Sequence, residues 1–255
     1  FSIGSSNKSK RHECSLGGIA NLARSITRID SDLSVGINAL VGSEFANRVS
    51  LLNDIPIESL GLLYSSSGKP TSSACIIMEE DTGRKTSLVN WGACTELSSL
   101  SEVDAKWHHI AYIDTLPEVV SNEPPAKGIT SIDMCLGKHT NIEKEKIRDF
   151  CKKIDYIIIS DDEAGSFYPK KSEALIEFGS IAKRGCVIHY PTGSISYDKK
   201  SDRITRLVVD LFGYKEAVNV LGAGDHFASA FICRMLKKND MAAACEFAHK
   251  STTRY

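Results

Sequence analysis

Short apolar runs alternate with amphipathic segments along most of the chain. The runs predict strands at Leu33–Leu40, Ser73–Glu79, His109–Ile113, Ile129–Asp133, Tyr156–Ser160, Cys186–Tyr190 and Arg206–Leu211. Segments with helical spacing predict helices at Ile19–Arg28, Glu44–Asn53, Glu143–Lys152, Ser172–Lys183, Asp225–Lys237 and Met241–Thr253. This alternation predicts βαβ crossovers and a mostly parallel sheet that is covered by helices on both faces.

The segment Pro70–Trp91 departs from the alternation and has the pattern of a strand, a turn and a strand. The predicted turn is Glu80–Gly83, because glycine readily adopts positive φ. A hairpin added to an α/β protein suggests a lid. We therefore expect one domain over residues 1–255, with lid elements around residues 1–16 and 71–91.

Charge and hydropathy exclude several classes of partner. The formal net charge is -1, so no overall basic field would hold nucleic acid or an anionic membrane. Apolar runs stay below the ~18 residues that a membrane span requires. The eight cysteines are scattered and form no CxxC pair, which favours free thiols in a reducing, cytoplasmic compartment over a zinc site or disulfides. The chain starts at Phe1 rather than at Met, so we expect residues to be missing at both ends.

The glycine-rich stretch Asn219–Phe231 (NVLGAGDHFASAF) leads into an apolar helix. Its residues Gly222, Ala223 and Gly224 would lie at the helix N-terminus, where backbone N–H groups lack intrahelical partners and the helix dipole is positive. Glycines also let a bulky anion approach closely. The turn is therefore a candidate phosphate site, an anion hole made of the N–H groups of Gly222–Gly224.

Asp225 has two interpretations from the residues alone. As a general base it would accept a proton from a hydroxyl that attacks phosphorus. As an N-cap it would only close the helix end. Neither a Walker loop nor a GxGxxG turn after a strand occurs in the chain, which argues against a P-loop enzyme and against a dinucleotide-binding oxidoreductase.

The GAGD turn before an apolar helix resembles the DTTGAGD signature of the ribokinase or PfkB-type carbohydrate kinases. Near the N-terminus, Gly17-Gly18-Ile19-Ala20-Asn21 resembles the same family's GG…N-A segment. Further matches follow in the family's order at Pro70-Thr71, Asp81–Arg84, Gly92-Ala93, Ser160-Asp161-Asp162-Glu163, Thr192-Gly193-Ser194 and Phe247-Ala248-His249. The resemblance implies a ribokinase-like three-layer α/β/α fold with a small β lid.

The resemblance also implies roles for single residues. Asp225 would be the general base beside the anion hole. The sugar would contact Gly17, Gly18 and Asn21, and Asp114, just past a predicted strand, is a further candidate for a substrate-hydroxyl contact.

For the nucleotide, the resemblance implies ATP bound as its Mg²⁺ complex. Thr192, Gly193 and His249 would border the nucleotide, and Glu163 would organise water around Mg²⁺. His226 is expected to pack or to face outward, since Asp225 already fills the role of base.

Two positions depart from the family's pattern. Ser160 stands where the family has Asn, and its side chain has less reach toward the metal's water shell. Asn219 replaces the first Asp of DTTGAGD, which in relatives helps to hold a monovalent cation, so K⁺ activation is not expected. The family's first strand, which usually bears a sugar-binding residue, would lie before Phe1.

The leading interpretation is ATP-dependent phosphorylation of a sugar hydroxyl. A nucleoside acceptor is the alternative within the same fold, and a catalytically silent regulatory subunit is the alternative outside catalysis. A homodimer formed through the lid is also expected.

Overall fold

A computed structural model describes residues 16–78, 85–100, 102–134, 142–209 and 222–253. The helices are α1 (Gly18–Ile29), α2 (Lys144–Cys151), α3 (Asp161–Phe167), α4 (Lys171–Ile181), α5 (Ala223–Lys238) and α6 (Met241–Thr252). The strands are β1 (Val35–Val41), β2 (Ile57–Tyr64), β3 (Ser73–Met78), β4 (Lys85–Asn90), β5 (Trp107–Ala111), β6 (Ile129–Asp133), β7 (Tyr156–Ser160), β8 (Gly185–Tyr190), β9 (Gly193–Asp198) and β10 (Arg203–Val208).

The main sheet has the strand order β10-β9-β8-β7-β6-β5. Strands β5 to β8 are parallel neighbours, and β9 and β10 pair antiparallel at one end. The predicted mostly parallel sheet of an α/β fold is thus confirmed. Because the carboxyl ends of parallel strands share one edge, the turns after β5, β7 and β8 open on the same side of the sheet.

The apolar run of β7 is buried because the sheet is covered on both faces. Ile157 and Ile159 pack in a core cluster with Phe178 of α4, whereas Ile158 packs in a second cluster with Phe231 of α5. Successive side chains of a strand point to opposite faces, so a strand that is apolar at every position requires cover on both sides. The three-layer arrangement follows.

Two small sheets lie outside the main sheet. Strands β1 and β2 pair in parallel, and β3 pairs antiparallel with β4 from Ser73 opposite Asn90 to Met78 opposite Lys85. The predicted hairpin is therefore present, although its turn at residues 80–83 lies outside the described residues, as do residues 1–15 of the other lid element. The assignment of these elements as a lid stays a prediction.

Several predicted elements are wrong in type or position. The segment predicted as an α-helix at Glu44–Asn53 is a 3₁₀ helix over Ser43–Leu52, in which Phe45 and Leu52 alone are buried, too few contacts to hold a regular amphipathic α-helix. The strand predicted at His109–Ile113 ends at Ala111. Strand β10 begins at Arg203, before the predicted start at Arg206, and ends at Val208. Strands β2 and β9 and helix α3 were not predicted.

Candidate active site

The glycine-rich turn forms the N-terminus of α5. Gly222 is the N-cap residue with φ 80°, a left-handed conformation that favours glycine, and its carbonyl accepts from the His226 N–H at 2.9 Å. Ala223 and Gly224 occupy the first helical positions, where N–H groups have no intrahelical acceptor. A Cβ added to Gly224 would meet only the ring of His189, at 3.8 Å. Among the described residues, no other side chain crowds this position.

Asp225 does not cap the helix, because the N-cap of α5 is Gly222 and the helix has no side-chain cap. Its side chain is buried, with 6% of the residue exposed. One carboxylate oxygen, Oδ2, accepts from Asn21 Nδ2 at 3.1 Å, and the other, Oδ1, accepts from the Tyr112 hydroxyl at 2.5 Å. The carboxylate thus lies between α1, the end of β5 and the first turn of α5.

Gly17 and Gly18 form the start of α1, the helix that carries Asn21. Gly17 is the N-cap, and its carbonyl accepts from the N–H groups of Ala20 and Asn21 at 3.1 Å each. A Cβ on Gly18 would lie 1.8 Å from the Tyr112 hydroxyl, whereas one on Gly17 would meet nothing within 4 Å. The structure therefore brings Gly18 and Asn21 together with Asp225.

Asp114 lies in a short 3₁₀ helix, Ile113–Thr115, directly after Tyr112. Its Oδ1 is buried without a hydrogen-bond partner among the described residues. Within the described ranges no hydrogen bond joins Asp114 to Asp225. Asp114 remains a candidate for a substrate contact, because it lies two residues after Tyr112, which does contact Asp225.

His249, Phe227 and His189 form an aromatic group beside the glycine-rich turn. The Phe227 ring stacks on His189 with centroids 4.6 Å apart and meets His249 edge-on at 4.9 Å. Burial lowers the pKa of both histidines to about 4, and for His249 a hydrogen bond that the ring donates to the Gly193 backbone opposes this lowering of the pKa. Both imidazole rings are therefore neutral near pH 7, and the three rings form an uncharged aromatic surface.

Gly193 begins β9 with φ 149°, and a Cβ there would lie 2.1 Å from the Leu207 carbonyl oxygen, so only glycine fits. Thr192 accepts from the Val209 N–H through its carbonyl at 3.0 Å. Sequence reasoning missed His189 and Phe227. The sequence did contain a signal for both residues, since His189 lies next to the end of the buried strand β8 and Phe227 lies two residues after Asp225.

Glu163 and Ser160 form a reciprocal capping box at the start of α3. Glu163 Oε2 accepts from the backbone N–H of Ser160 at 2.7 Å and from its hydroxyl at 2.8 Å, and Ser160 Oγ accepts from the Glu163 N–H at 3.3 Å. Ser160 is therefore the N-cap of α3, and Glu163 completes the capping box. Asp161 and Asp162 lie in the same first turn, so carboxylate oxygens suited to Mg²⁺ are concentrated here, although no three-residue metal cluster occurs among the described residues.

His226, the residue after Asp225 in α5, is also buried. Its Nδ1 lies 3.1 Å from Ser25 Oγ on α1, and its Nε2 lies 2.8 Å from Ser251 Oγ on α6. Burial lowers its pKa. His226 therefore joins three helices, as expected for a packing residue. Asn219 lies outside the described residues.

Comparison with known proteins identifies relatives of this arrangement. The profile of the pfkB family carbohydrate kinases matches residues 3–252. A search of curated proteins found no match. Among the described residues, no helix combines the length and apolar character needed to cross a membrane.

Solved structures with the same fold include a nucleoside kinase from Methanocaldococcus jannaschii, an archaeal member of the ribokinase family (17% identity, 92% of this chain and 78% of that chain, TM-score 0.72). A putative ribokinase II from E. coli, in complex with ATP and Mg²⁺, is 19% identical over 99% of this chain and 86% of its own, with TM-score 0.70. Ribokinase from Arabidopsis thaliana, complexed with ribose and ATP, is 13% identical over 99% and 85%, with TM-score 0.70.

Proposed function

The chain belongs to the pfkB family of carbohydrate kinases, and from that membership we propose that it transfers the γ-phosphoryl group of ATP to a hydroxyl group of a sugar or sugar-like small molecule. One observation supports this most directly. The Asp225 carboxylate is buried at the first turn of α5, next to backbone N–H groups that have no acceptor within the helix, and it accepts hydrogen bonds from Asn21 of α1 and from Tyr112 after β5. A base and an anion hole side by side are the two parts that phosphoryl transfer to an alcohol requires.

Asp225 acts as the general base. The acceptor oxygen forms a bond to the γ-phosphorus while the bond from that phosphorus to the bridging oxygen of ADP breaks, and the hydroxyl proton passes to a carboxylate oxygen of Asp225. The N–H groups of Ala223 and Gly224 stabilise charge on the transferred phosphoryl oxygens. Because these groups are fixed by the helix, they need no reorganisation during the step.

The aromatic group of His189, Phe227 and His249 would border the nucleotide. It lies beside both Gly193 and Gly224, so a nucleotide with its phosphates at the anion hole could extend along it. Two neutral imidazoles and a phenyl ring can pack against the flat face of the nucleotide's adenine ring. Thr192 and Gly193, in the turn before β9, would complete this side.

Mg²⁺ bound with ATP would neutralise negative charge on the phosphates. Glu163 would hold one of its waters, from a carboxylate that the Ser160 cap already orients. This chain's own contribution is therefore a fixed carboxylate at the start of α3.

Gly17, Gly18 and Asn21 would contact the acceptor, since glycines permit close approach and an amide both donates and accepts. Asp114 would be an additional hydroxyl contact. Nucleosides belong in the same set of candidate acceptors, because one solved relative of this fold is a nucleoside kinase.

A homodimer through the β3–β4 hairpin is part of the proposal. Leu88, Val89 and Trp91 are exposed there, with 60%, 42% and 37% of each residue accessible. Exposed apolar side chains that lie together on a surface are typical of a protein–protein interface. Sedimentation of the protein at micromolar concentration tests this, and a monomer contradicts it. The scattered thiols support a reducing, cytoplasmic location.

The activity itself is tested with Mg²⁺-ATP and a panel of sugars and nucleosides. We expect ADP to form in proportion to phosphorylated product with at least one acceptor. No ADP above background with any acceptor would contradict catalysis and favour a regulatory subunit with a kinase fold.

A further inference from the structure

The phenol ring of Tyr112 fills the space between Gly18 and Asp225. Its hydroxyl donates to Asp225 Oδ1 at 2.5 Å. A Cβ built on Gly18 would lie 1.8 Å from that hydroxyl and 2.1 Å from the ring carbon Cε2. The ring therefore lies directly on the bare face of Gly18, beside the carboxylate.

The backbone directs Tyr112 to this place. It adopts φ 62° and ψ 58°, a left-handed conformation that is uncommon for a bulky residue. Its N–H donates to the Asp133 carbonyl at 2.9 Å, which anchors the turn to the end of β6. A strained conformation that the surrounding structure maintains is found most often at functional sites.

An acceptor hydroxyl needs both surfaces that the ring covers. To give its proton to Asp225 it must approach a carboxylate oxygen within hydrogen-bond distance, and the phenol lies on the Gly18 side of Oδ1 while Asn21 pairs with Oδ2. To use the close approach that Gly18 permits, the acceptor must occupy the position of the ring. Both conditions are met only when the Tyr112 side chain moves.

From this overlap we infer that Tyr112 occupies the acceptor subsite in the free protein, as an internal substitute for the acceptor hydroxyl, and that the acceptor displaces it. The inference rests on the proposed function, because it assumes Asp225 to be the base. While the phenol is in place, water is kept from Oδ1, which limits hydrolysis of ATP when no acceptor is present. The apparent affinity for acceptor is the intrinsic affinity multiplied by the fraction of molecules in which the ring is out.

A positioning role is the competing explanation. In that case the ring would stay in place during turnover and hold Asp225 in its productive orientation. The two explanations differ in which kinetic constant responds to loss of the hydroxyl. Displacement predicts a change in acceptor affinity, whereas positioning predicts a loss of kcat.

Tyr112→Phe removes the hydroxyl and keeps the ring and the backbone conformation. A hydrogen bond to a charged group contributes enough that its loss should improve acceptor affinity by ~10–100-fold. We expect the KM for acceptor to fall by that factor, with a much smaller change in kcat, and acceptor-independent ATP hydrolysis to rise. A lower kcat with the acceptor KM of the wild type would overturn the inference.

The matched control is Tyr197→Phe. Tyr197 donates to Asp202 Oδ1 at 2.8 Å, so the variant loses the same kind of phenol–carboxylate bond at the end of β9, away from the anion hole. Neither acceptor affinity nor acceptor-independent hydrolysis should respond to this change. An equal response in both variants would also overturn the inference.

Acceptor binding measured by calorimetry, with a non-hydrolysable ATP analogue present, separates this inference from the proposed function. If Tyr112→Phe binds acceptor more tightly than the wild type does, and the wild type forms no ADP, the occupied subsite is upheld and the kinase activity is contradicted. If the wild type forms phosphorylated product but Tyr112→Phe binds acceptor no more tightly, the kinase activity is upheld and the occupied subsite is contradicted. If no compound of the panel binds either protein, both proposals fail.

Discussion

Asn21 Nδ2 lies 3.1 Å from Asp225 Oδ2, although the two residues are 204 positions apart in the chain. The contact joins α1 to the first turn of α5. One turn further along, the Ser229 hydroxyl donates to the Leu22 carbonyl at 3.1 Å and joins the same helices again. The carboxylate is therefore oriented by the packing of two helices and not by its own backbone.

Asp225→Asn should lower kcat by ~10²–10⁴, the usual contribution of a positioned general base, because an amide cannot accept the hydroxyl proton. ATP binding should be nearly unchanged, since the N–H groups of the anion hole remain. Steady-state kinetics and calorimetry with ATP measure the two effects. Asp149→Asn, at an exposed position of α2, is the control. Turnover equal to that of the wild type would refute the mechanism.

Two glycines of the anion hole should respond differently to alanine. Gly222→Ala places a side chain at φ 80° and should lower the free energy of unfolding by ~1–2 kcal/mol. Gly224→Ala finds open space, with His189 at 3.8 Å, and gains helix propensity of up to ~1 kcal/mol. Its methyl group should instead narrow the anion hole and raise the KM for ATP. Urea unfolding and kinetics of both variants measure this, and equal losses of stability would contradict it.

The capping box separates a structural role of Glu163 from a metal role. Ser160→Ala should cost ~1 kcal/mol of stability through the lost cap. Glu163→Gln should cost little, because Gln also completes a capping box, but it removes the charge that would orient the metal's water. We expect this variant to require more Mg²⁺ for half-maximal rate. An unchanged Mg²⁺ dependence would mean that Glu163 serves the helix alone.

His226→Ala should destabilise the fold. The variant leaves Ser25, a buried residue, without its imidazole partner and opens a cavity among α1, α5 and α6. A buried polar group that loses its partner costs ~1–3 kcal/mol before the cavity is counted. Thermal or urea unfolding measures the loss. Turnover per folded molecule should fall far less than in Asp225→Asn, and a comparable fall would assign His226 a role in chemistry.

Stability should decrease on acidification between pH 6.5 and about 4. The folded pKa of His249 is about 4 because of burial, against an ordinary value of 6.5, so the unfolded chain binds more protons in this window. This stabilisation is complete above pH 6.5 and is lost as pH falls through the folded value, at up to ~1.4 kcal/mol per pH unit. Urea unfolding of His249→Gln should show a shallower pH dependence over the same range. An identical slope would contradict the buried neutral imidazole.

Local pattern was sufficient for much of the fold. Strands β6 and β7 were predicted with their observed ends, Ile129–Asp133 and Tyr156–Ser160, because β-branched residues in a short run, like helical spacing in a longer segment, are a local signal. The helix after GAGD was predicted for the same reason. Strand β9 has a single β-branched residue, Ile195, and therefore a weaker local signal, and it is held by pairing with both β8 and β10.

The sequence by itself determined that a glycine-rich turn opens an apolar helix with a carboxylate in its first turn. It left open whether Asp225 caps that helix or serves as a base, because both interpretations need the same residues in the same order. Only the tertiary structure turned the side chain toward Asn21 and Tyr112, the latter 113 positions away. Such contacts depend on the order of strands and the docking of helices, which many sequences of the same local pattern could satisfy differently.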